Sequence, residues 1–372
     1  MIEEIQDYRI NATAIASIFP TVALGLIKLK LVLSEFGLFL RRKRNRFQLS
    51  GKDIKKEFLS NDVEEIHFLN PGVGVSISAI RLALENEIFV VLGSRSGWPH
   101  GFVIPTKISG TIRGKRAQFL AFSDPRGVHL ARRFAQGKAR NQRNLLRLIW
   151  KNRTRTEPEL AEKLYKASEH VDEISKEFGS INGNSIDKVR VDIMNVEARA
   201  SKAYWDAISP LIPEELKFSG RKTRGATDPF NAMLNFGYKA ILFPESWKAV
   251  YYAGLDPYAG FLHADKPGKP SLALDLMEEF RQHTVDRVLL TIFSKNMLKI
   301  DDIMDKESTV QPRLSKNTIK VLTERINEQL DDNVQYNGSK IPLKNAIVNQ
   351  ARGITNYLLG ANREYVPFEL VW

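Results

Sequence analysis

The sequence predicts an α+β protein, with an N-terminal β-sandwich-like domain over residues 28–112 followed by a larger all-α-helical domain over residues 113–372. Two observations carry this. Residues 28–110 hold short runs rich in β-branched and aromatic residues, separated by Gly, Asn, Asp and Pro. Beyond Ala117 the apolar residues recur at helical spacing over long stretches. Residues 1–27 show no clear pattern and form an N-terminal extension.

In the first domain the strand signals are LKLVLS, GLFLRR, RFQLS, EEIHFLN, EIFVVLG and GFVIP. One helix, SISAIRLALEN over Ser76–Asn86, lies between the fourth and fifth of them. RRKRNR, Arg41 to Arg46, reads as a hairpin tip, where a solubilising turn and a nucleic-acid contact are equally well served. In the second domain helices are expected at about 128–151, 157–177, 185–209, 230–242, 271–298, 316–331 and 343–360. Glu245 to Lys269 is expected as a long connection punctuated by Gly and Pro, and long ordered loops often carry function. No internal repeat, heptad seam or low-complexity tract is present.

Cysteine is absent, which excludes disulfides and Cys-ligated zinc and suits a cytoplasmic location. The apolar stretch Ala12 to Leu29 is broken by Pro20 and preceded by acids, so it reads as neither signal peptide nor membrane span. A net charge of +12 implies a polyanionic partner. Between Arg113 and Arg155 there are thirteen Lys or Arg and one acid, Asp124, interleaved with apolar residues at helical spacing. Taken alone, such a run is a solvated basic face. With the acids downstream it favours a DNA phosphate backbone, and the candidate contacts are Arg126, Arg132, Arg133, Lys138, Arg140 and Arg143. Arg221, Lys222 and Arg224 form a further small basic group.

Gly254 to Arg281, GLDPYAGFLHADKPGKPSLALDLMEEFR, is the most informative segment. It delivers His263 in a turn-rich loop and then a helix. The apolar run Leu272, Leu274, Leu276, Met277, Phe280 leaves Asp275 and Glu278 three apart on the opposite helical face. A histidine and carboxylates aimed at one point can hold a divalent metal, and a third acid would complete a site for phosphodiester chemistry. Glu197 is the candidate, on a helix over Asp187–Ser209 where Ala198, Ala200, Ser201 and Ala203 permit close approach. Each residue has a plainer reading: an exposed helix glutamate for Glu197, a hydrogen-bonded loop histidine for His263, and a surface ion pair with Arg281 for Glu278. Asn231 and Asn235, at i and i+4, serve capping or core amide bonding as readily as a ligand. Tyr204, Trp205, Tyr251 and Tyr252 could stack on splayed bases, but most of them are expected in the core, and Asp256-Pro257 is expected as a turn aiming the chain at His263.

Together these residues resemble the CRISPR-associated integrase family, the first of the Cas proteins. The resemblance rests on EARASKAYW, on DPFNAMLNFGYKAIL, and on GLDPYAGFLH followed by SLALDLMEEFR, and it spans nearly all of residues 30–372. It implies metal ligands at Glu197, His263 and Glu278, with Asp275 as a supporting acid and Arg281 as a basic group beside them. It implies a divalent metal, Mg2+ or Mn2+, and an endonuclease and integrase activity in which the 3′-hydroxyl of an incoming DNA fragment attacks a phosphodiester at the edge of a repeat. The implied partners are double-stranded DNA, a second copy of the chain paired through the β domain, and the small ferredoxin-like second CRISPR-associated adaptation protein; no membrane is implied. Two departures stand out: the usual glycine after the helix acid is Ala198, and the loop from His263 to Ser271 carries Lys266, Lys269 and two prolines. A casposase, a transposon integrase with the same chemistry, is an alternative that usually adds a C-terminal DNA-binding module, whereas this chain stops at Trp372. A non-catalytic DNA-binding scaffold is the second alternative, against which the intact Glu197, His263 and Glu278 weigh.

Overall fold

The computed structural model describes residues 17–23, 26–52, 54–94, 97–106, 112–223, 225, 227–305 and 313–370. The chain divides into two compact units, Met1–Lys107 with Lys239–Ile241, and Ile108–Tyr238 with Leu242–Trp372.

The first unit holds two sheets. One is five-stranded, ordered β1 (Ser17–Ala23), β2 (Leu26–Leu33), β6 (Val63–Phe68), β8 (Phe89–Gly93), β9 (Pro99–Val103). Its centre is parallel and its outer pairs antiparallel. The other is four-stranded, β5 (Lys55–Leu59), β4 (Arg46–Ser50), β3 (Phe39–Lys43), β7 (Gly74–Val75). Alternate residues of both sheets, including Leu31, Leu33, Leu40, Phe47, Leu49 and Ile66, share one core with Leu82 of helix α1 (Ile77–Glu85). Period-two alternation of this kind buries one face of each sheet. RRKRNR is a hairpin tip, with Arg44 in the left-handed region at its turn. The expected extension is shorter than its predicted span, since Ser17–Ala23 pairs with β2 along its whole length.

Among its described residues the second unit is mainly helical, with the hairpin of β10 (Asn333–Tyr336) and β11 (Ser339–Pro342) and an isolated bridge between Met304 and Leu314. Asn337-Gly338 turns that hairpin with both residues at positive φ. This is the dipeptide a two-residue hairpin favours, a signal the helical reading passed over. After α2 (Ile112–Ala121) comes the central helix α3 (Pro125–Arg153), with Asp124 capping its start. It packs on α4 (Pro158–Lys176) and α5 (Ile186–Ile208). Next are α6 (Pro229–Phe236), a π-helical segment Gly237–Leu242, and α7 (Phe243–Tyr252). The expected connection from Glu245 therefore begins inside a helix. Pro244 lies just after the π-helical segment Gly237–Leu242, which runs without a break into α7.

From Ser271 one helical rod runs as α8 (Ser271–Met277), an irregular turn, a π-helical segment Gln282–Asp286, and α9 (Arg287–Ser294). The fold closes with α10 (Lys316–Asp331) and α11 (Leu343–Leu358). No helix among the described residues is long and apolar enough to cross a membrane.

Candidate metal centre

Three elements of the second unit meet at one point: α3 with Lys138, α5 with Glu197, and the loop and rod from Gly254 to Arg281. The loop is shaped by its own sequence. Asp256 accepts from the Tyr258 N–H at 2.9 Å, and the Pro257 carbonyl accepts from Leu272 N–H at 3.0 Å, so the Asp-Pro turn folds the loop back over the start of α8. Gly260 permits the contact, because a Cβ there would lie 2.6 Å from a backbone carbon of Ser271 and 2.8 Å from Asp275 Oδ2.

Asp275 is fully buried and takes four donors from that loop. Oδ2 accepts the N–H groups of Phe261 at 2.6 Å and Leu262 at 2.9 Å. Oδ1 accepts the N–H of His263 at 2.9 Å and its ring Nδ1–H at 2.7 Å. With Nδ1–H donating to Asp275, Nε2 is the ring nitrogen turned toward Glu278, whose Oε1 is 3.8 Å away. The sequence placed Asp275 and Glu278 on a face opposite the apolar run. In the structure both are buried, because the loop wraps over that face.

Glu278 lies just past the end of α8, where the helix loosens toward the π segment. Burial by itself would raise its carboxyl. The guanidinium of Arg281, 2.9 Å from Oε1, and the ammonium of Lys138, 2.9 Å from Oε2, outweigh that and hold it at about 2. Oε2 is buried, with the Lys138 ammonium as its ion-pair partner. Arg281 is fixed by the face of Tyr238, 4.5 Å from the ring centroid, and the Tyr238 hydroxyl donates to buried Asp286. Asp286 also accepts from Tyr204 at 2.9 Å.

Glu197 projects from α5 with its side chain 21% exposed. Its Oε1 accepts from Ser201 at 2.9 Å and from Lys138. Ala198 is exposed on the next turn of surface, so its methyl has the room that the family's glycine would leave. Tyr204 and Trp205 lie in the core as expected.

The basic segment differs most from expectation. No residue of α3 from Arg126 to Trp150 is fully exposed. Its cations are matched by acids from elsewhere: Arg126 with Asp124, Arg133 with Glu364 at 3.0 Å, Arg140 with Glu369 at 2.5 Å, and Arg143 with Asp172. Arg132 donates to the carbonyl of Ile181 at 3.2 Å. Lys138, read as a DNA contact, sits between Glu197 and Glu278. Most cations of α3 are thus half-buried and paired within the fold, while Arg113, Arg116, Lys151 and Arg155 of the same segment are exposed. Arg221 is also drawn inward, donating to Asn231 and Asn235 at 2.8 Å each, while Lys222 is exposed. Asn231 bonds Asp228 and the Lys222 N–H, the amide role foreseen for it. Arg224 lies outside the described residues.

The donor set fits a divalent metal by its chemistry. Two carboxylates and an imidazole nitrogen converge, and one carboxylate oxygen is buried with no hydrogen bond. With Lys138 between the acids, no three His, Asp or Glu side chains among the described residues stand as a ready ligand cluster.

Solved structures share this fold. A casposase bound to its integration product superposes with a TM-score of 0.78 at 22% identity, over 91% of this chain and 94% of that one. A CAS1 protein from Thermotoga maritima gives 0.70 at 19%, over 91% and 99%. The family described as CRISPR associated protein Cas1 matches residues 31–328. The CRISPR-associated endonuclease Cas1 1 of Archaeoglobus fulgidus is 39% identical over 352 residues, covering 92% of this chain and all of that protein. The Cas1 endonuclease of Korarchaeum cryptofilum is 30% identical over 343 residues, covering 91% and 97%. The fold is shared with the casposase and the Cas1 protein of these structures. The chain itself belongs to the Cas1 family of CRISPR-associated endonucleases.

Proposed function

We propose that this protein integrates and cleaves DNA in CRISPR adaptation, joining the 3′-hydroxyl ends of a captured fragment to a repeat at a divalent-metal centre of Glu197, His263 and Glu278. What supports the reading is that His263 Nε2 lies 3.8 Å from Glu278, that Lys138 pairs with both Glu278 and Glu197, and that Asp275 fixes the ring of His263. A metal bound there would supply charge neutralisation at the phosphate and a lowered pKa for a hydroxyl or water. One imidazole beside carboxylates favours Mn2+ relative to an all-oxygen site, and Mg2+ also serves.

The chain's own groups do the rest. Glu278 is an anion at any working pH and needs no proton release to act as a ligand. Asp275 holds the one tautomer of His263 that leaves Nε2 free to bind. Ser201 orients Glu197. Arg281, stacked on Tyr238, keeps a positive charge beside Glu278. Water in place of the 3′-hydroxyl turns the same site into a nuclease.

As partners we propose prespacer and repeat DNA, a second copy of the chain paired through the β unit, and the small ferredoxin-like adaptation protein. A Cas6-RT-Cas1–Cas2 complex among the structural neighbours, with a TM-score of 0.72 over 91% of this chain, supports the last. The CRISPR role is preferred to the casposase one because the Cas1 relatives match at higher identity over their full length.

The test is a strand-joining assay on a supercoiled, repeat-bearing plasmid with the adaptation partner and Mn2+ or Mg2+. Wild type is expected to join DNA and His263→Ala to lose it. Absence of joining by wild type, or equal joining by both, rejects the assignment.

A further inference from the structure

Lys138 is the one residue of α3 that reaches both acids of the proposed centre. Its ammonium pairs with Glu197 Oε1 and lies 2.9 Å from Glu278 Oε2, with the side chain only 17% exposed. The two carboxylates come from elements 81 positions apart in the chain and face one another at a largely desolvated point, where like charges repel strongly unless a cation stands between them. Among the described residues no other cation pairs with both. Arg281 pairs with the opposite oxygen of Glu278, and Ser201 donates to Glu197 without adding charge.

The contact with Glu278 is an ion pair, with Lys138 Nζ 2.9 Å from Oε2. An ammonium held by charge on a stem of four rotatable bonds can leave without breaking the backbone frame, which a planar guanidinium forked onto both acids could not.

We propose that Lys138 is a resident counter-ion of the metal centre: its ammonium occupies the place between Glu197 and Glu278 while no metal is bound, and a divalent ion must displace it to bind. The inference rests on the metal reading above. It makes Lys138 a positioning residue that holds the acids together before loading and sets how tightly the ion binds. No covalent step is involved.

The test uses the full-length chain and Mn2+ alone. Mn2+ affinity is measured by calorimetry for wild type, His263→Ala, Lys138→Met and Lys138→Arg, beside the melting temperature of each metal-free protein. Lys138→Met is expected to bind Mn2+ about tenfold more tightly than wild type and to melt lower without metal, because the competitor and the counter-ion are the same group. Lys138→Arg keeps the charge and is expected to bind no more tightly than wild type. As a readout on unaltered protein, amine acylation followed by mass spectrometry should find Lys138 protected without Mn2+ and labelled with it. Unchanged or weaker Mn2+ binding by Lys138→Met overturns the proposal, as does acylation of Lys138 that Mn2+ leaves unchanged. If His263→Ala loses Mn2+ while Lys138→Met matches wild type, the metal centre stands and only the counter-ion role falls. Failure of wild type to bind Mn2+ overturns both.

Discussion

Asp275 and His263 are joined twice through one oxygen: Oδ1 accepts the backbone N–H at 2.9 Å and the ring Nδ1–H at 2.7 Å. Two further N–H groups fill Oδ2, so this carboxylate has no capacity left for a metal and instead fixes the ring that has.

Asp275→Asn should therefore weaken Mn2+ binding and strand joining by about 10- to 100-fold. The amide turns an NH2 group toward donors that need an acceptor. The melting temperature should fall as well, since the group is fully buried among N–H groups. Mn2+ binding equal to wild type would show that the loop holds His263 without this carboxylate.

Glu279, the neighbour of Glu278, points the other way, to the C-terminal segment. It accepts from Tyr365 at 2.6 Å, Phe368 N–H at 2.7 Å and Gln350 at 2.8 Å, yet burial outweighs these donors and pushes it up to about 8. The folded protein then keeps a proton that the unfolded chain releases above about 4.5, so this group's contribution is full below that pH and is lost as pH rises toward 8. Glu279→Gln should gain stability relative to wild type across that window, by at most about 1.4 kcal/mol per pH unit for one proton. Denaturant melts at pH 5, 6.5 and 8 measure it; a constant difference between the two proteins would count against a protonated Glu279.

His283 titrates with the opposite sign. Burial, aided by Arg287, lowers it to about 3, and its Nε2 faces Asn141 Oδ1 at 3.1 Å. It stays neutral when folded and takes a proton on unfolding below about 6.5, so the stability it contributes is present above that pH and lost as pH falls toward 3. His283→Gln should flatten the decline of stability between pH 6.5 and 4 by up to one proton. An unaltered slope would mean that other groups set the acid limb.

Phe368 locks the C-terminal segment against the rod. Its ring stacks on Phe280 at 4.8 Å and meets His283 edge-on, and Asn141 donates to its carbonyl at 2.8 Å. Gly137 leaves the space for the crossing, since a Cβ there would lie 2.7 Å from Pro367. Phe368→Ala should cost about 3–5 kcal/mol by chemical denaturation. Because Phe280 lies two residues from Glu278, joining activity should fall too; a loss below about 1 kcal/mol would mean that the segment adds little to the core.

Much of this was legible without a fold. The strands between Leu29 and Val103 and most helices follow from apolar periodicity, a local property. The residues His263, Asp275 and Glu278 are readable because one loop and one helix carry all three. Glu197 is harder, since nothing local tells a helix glutamate in an active centre from one on a surface. Helix α7 runs into the connection expected from Glu245, and the β10–β11 hairpin, turned by Asn337-Gly338, lies between two expected helices.

What the chain alone determined is thus its elements, its family resemblance and the residue types at the centre. Only the tertiary structure decided which charges meet. Lys138 and Arg140 read as members of one basic stripe, but their partners, Glu197 and Glu369, lie 59 and 229 residues away. Periodicity reports which face of a helix is apolar; the sign of the field at that face is a sum over groups brought close by folding, and no local pattern contains it.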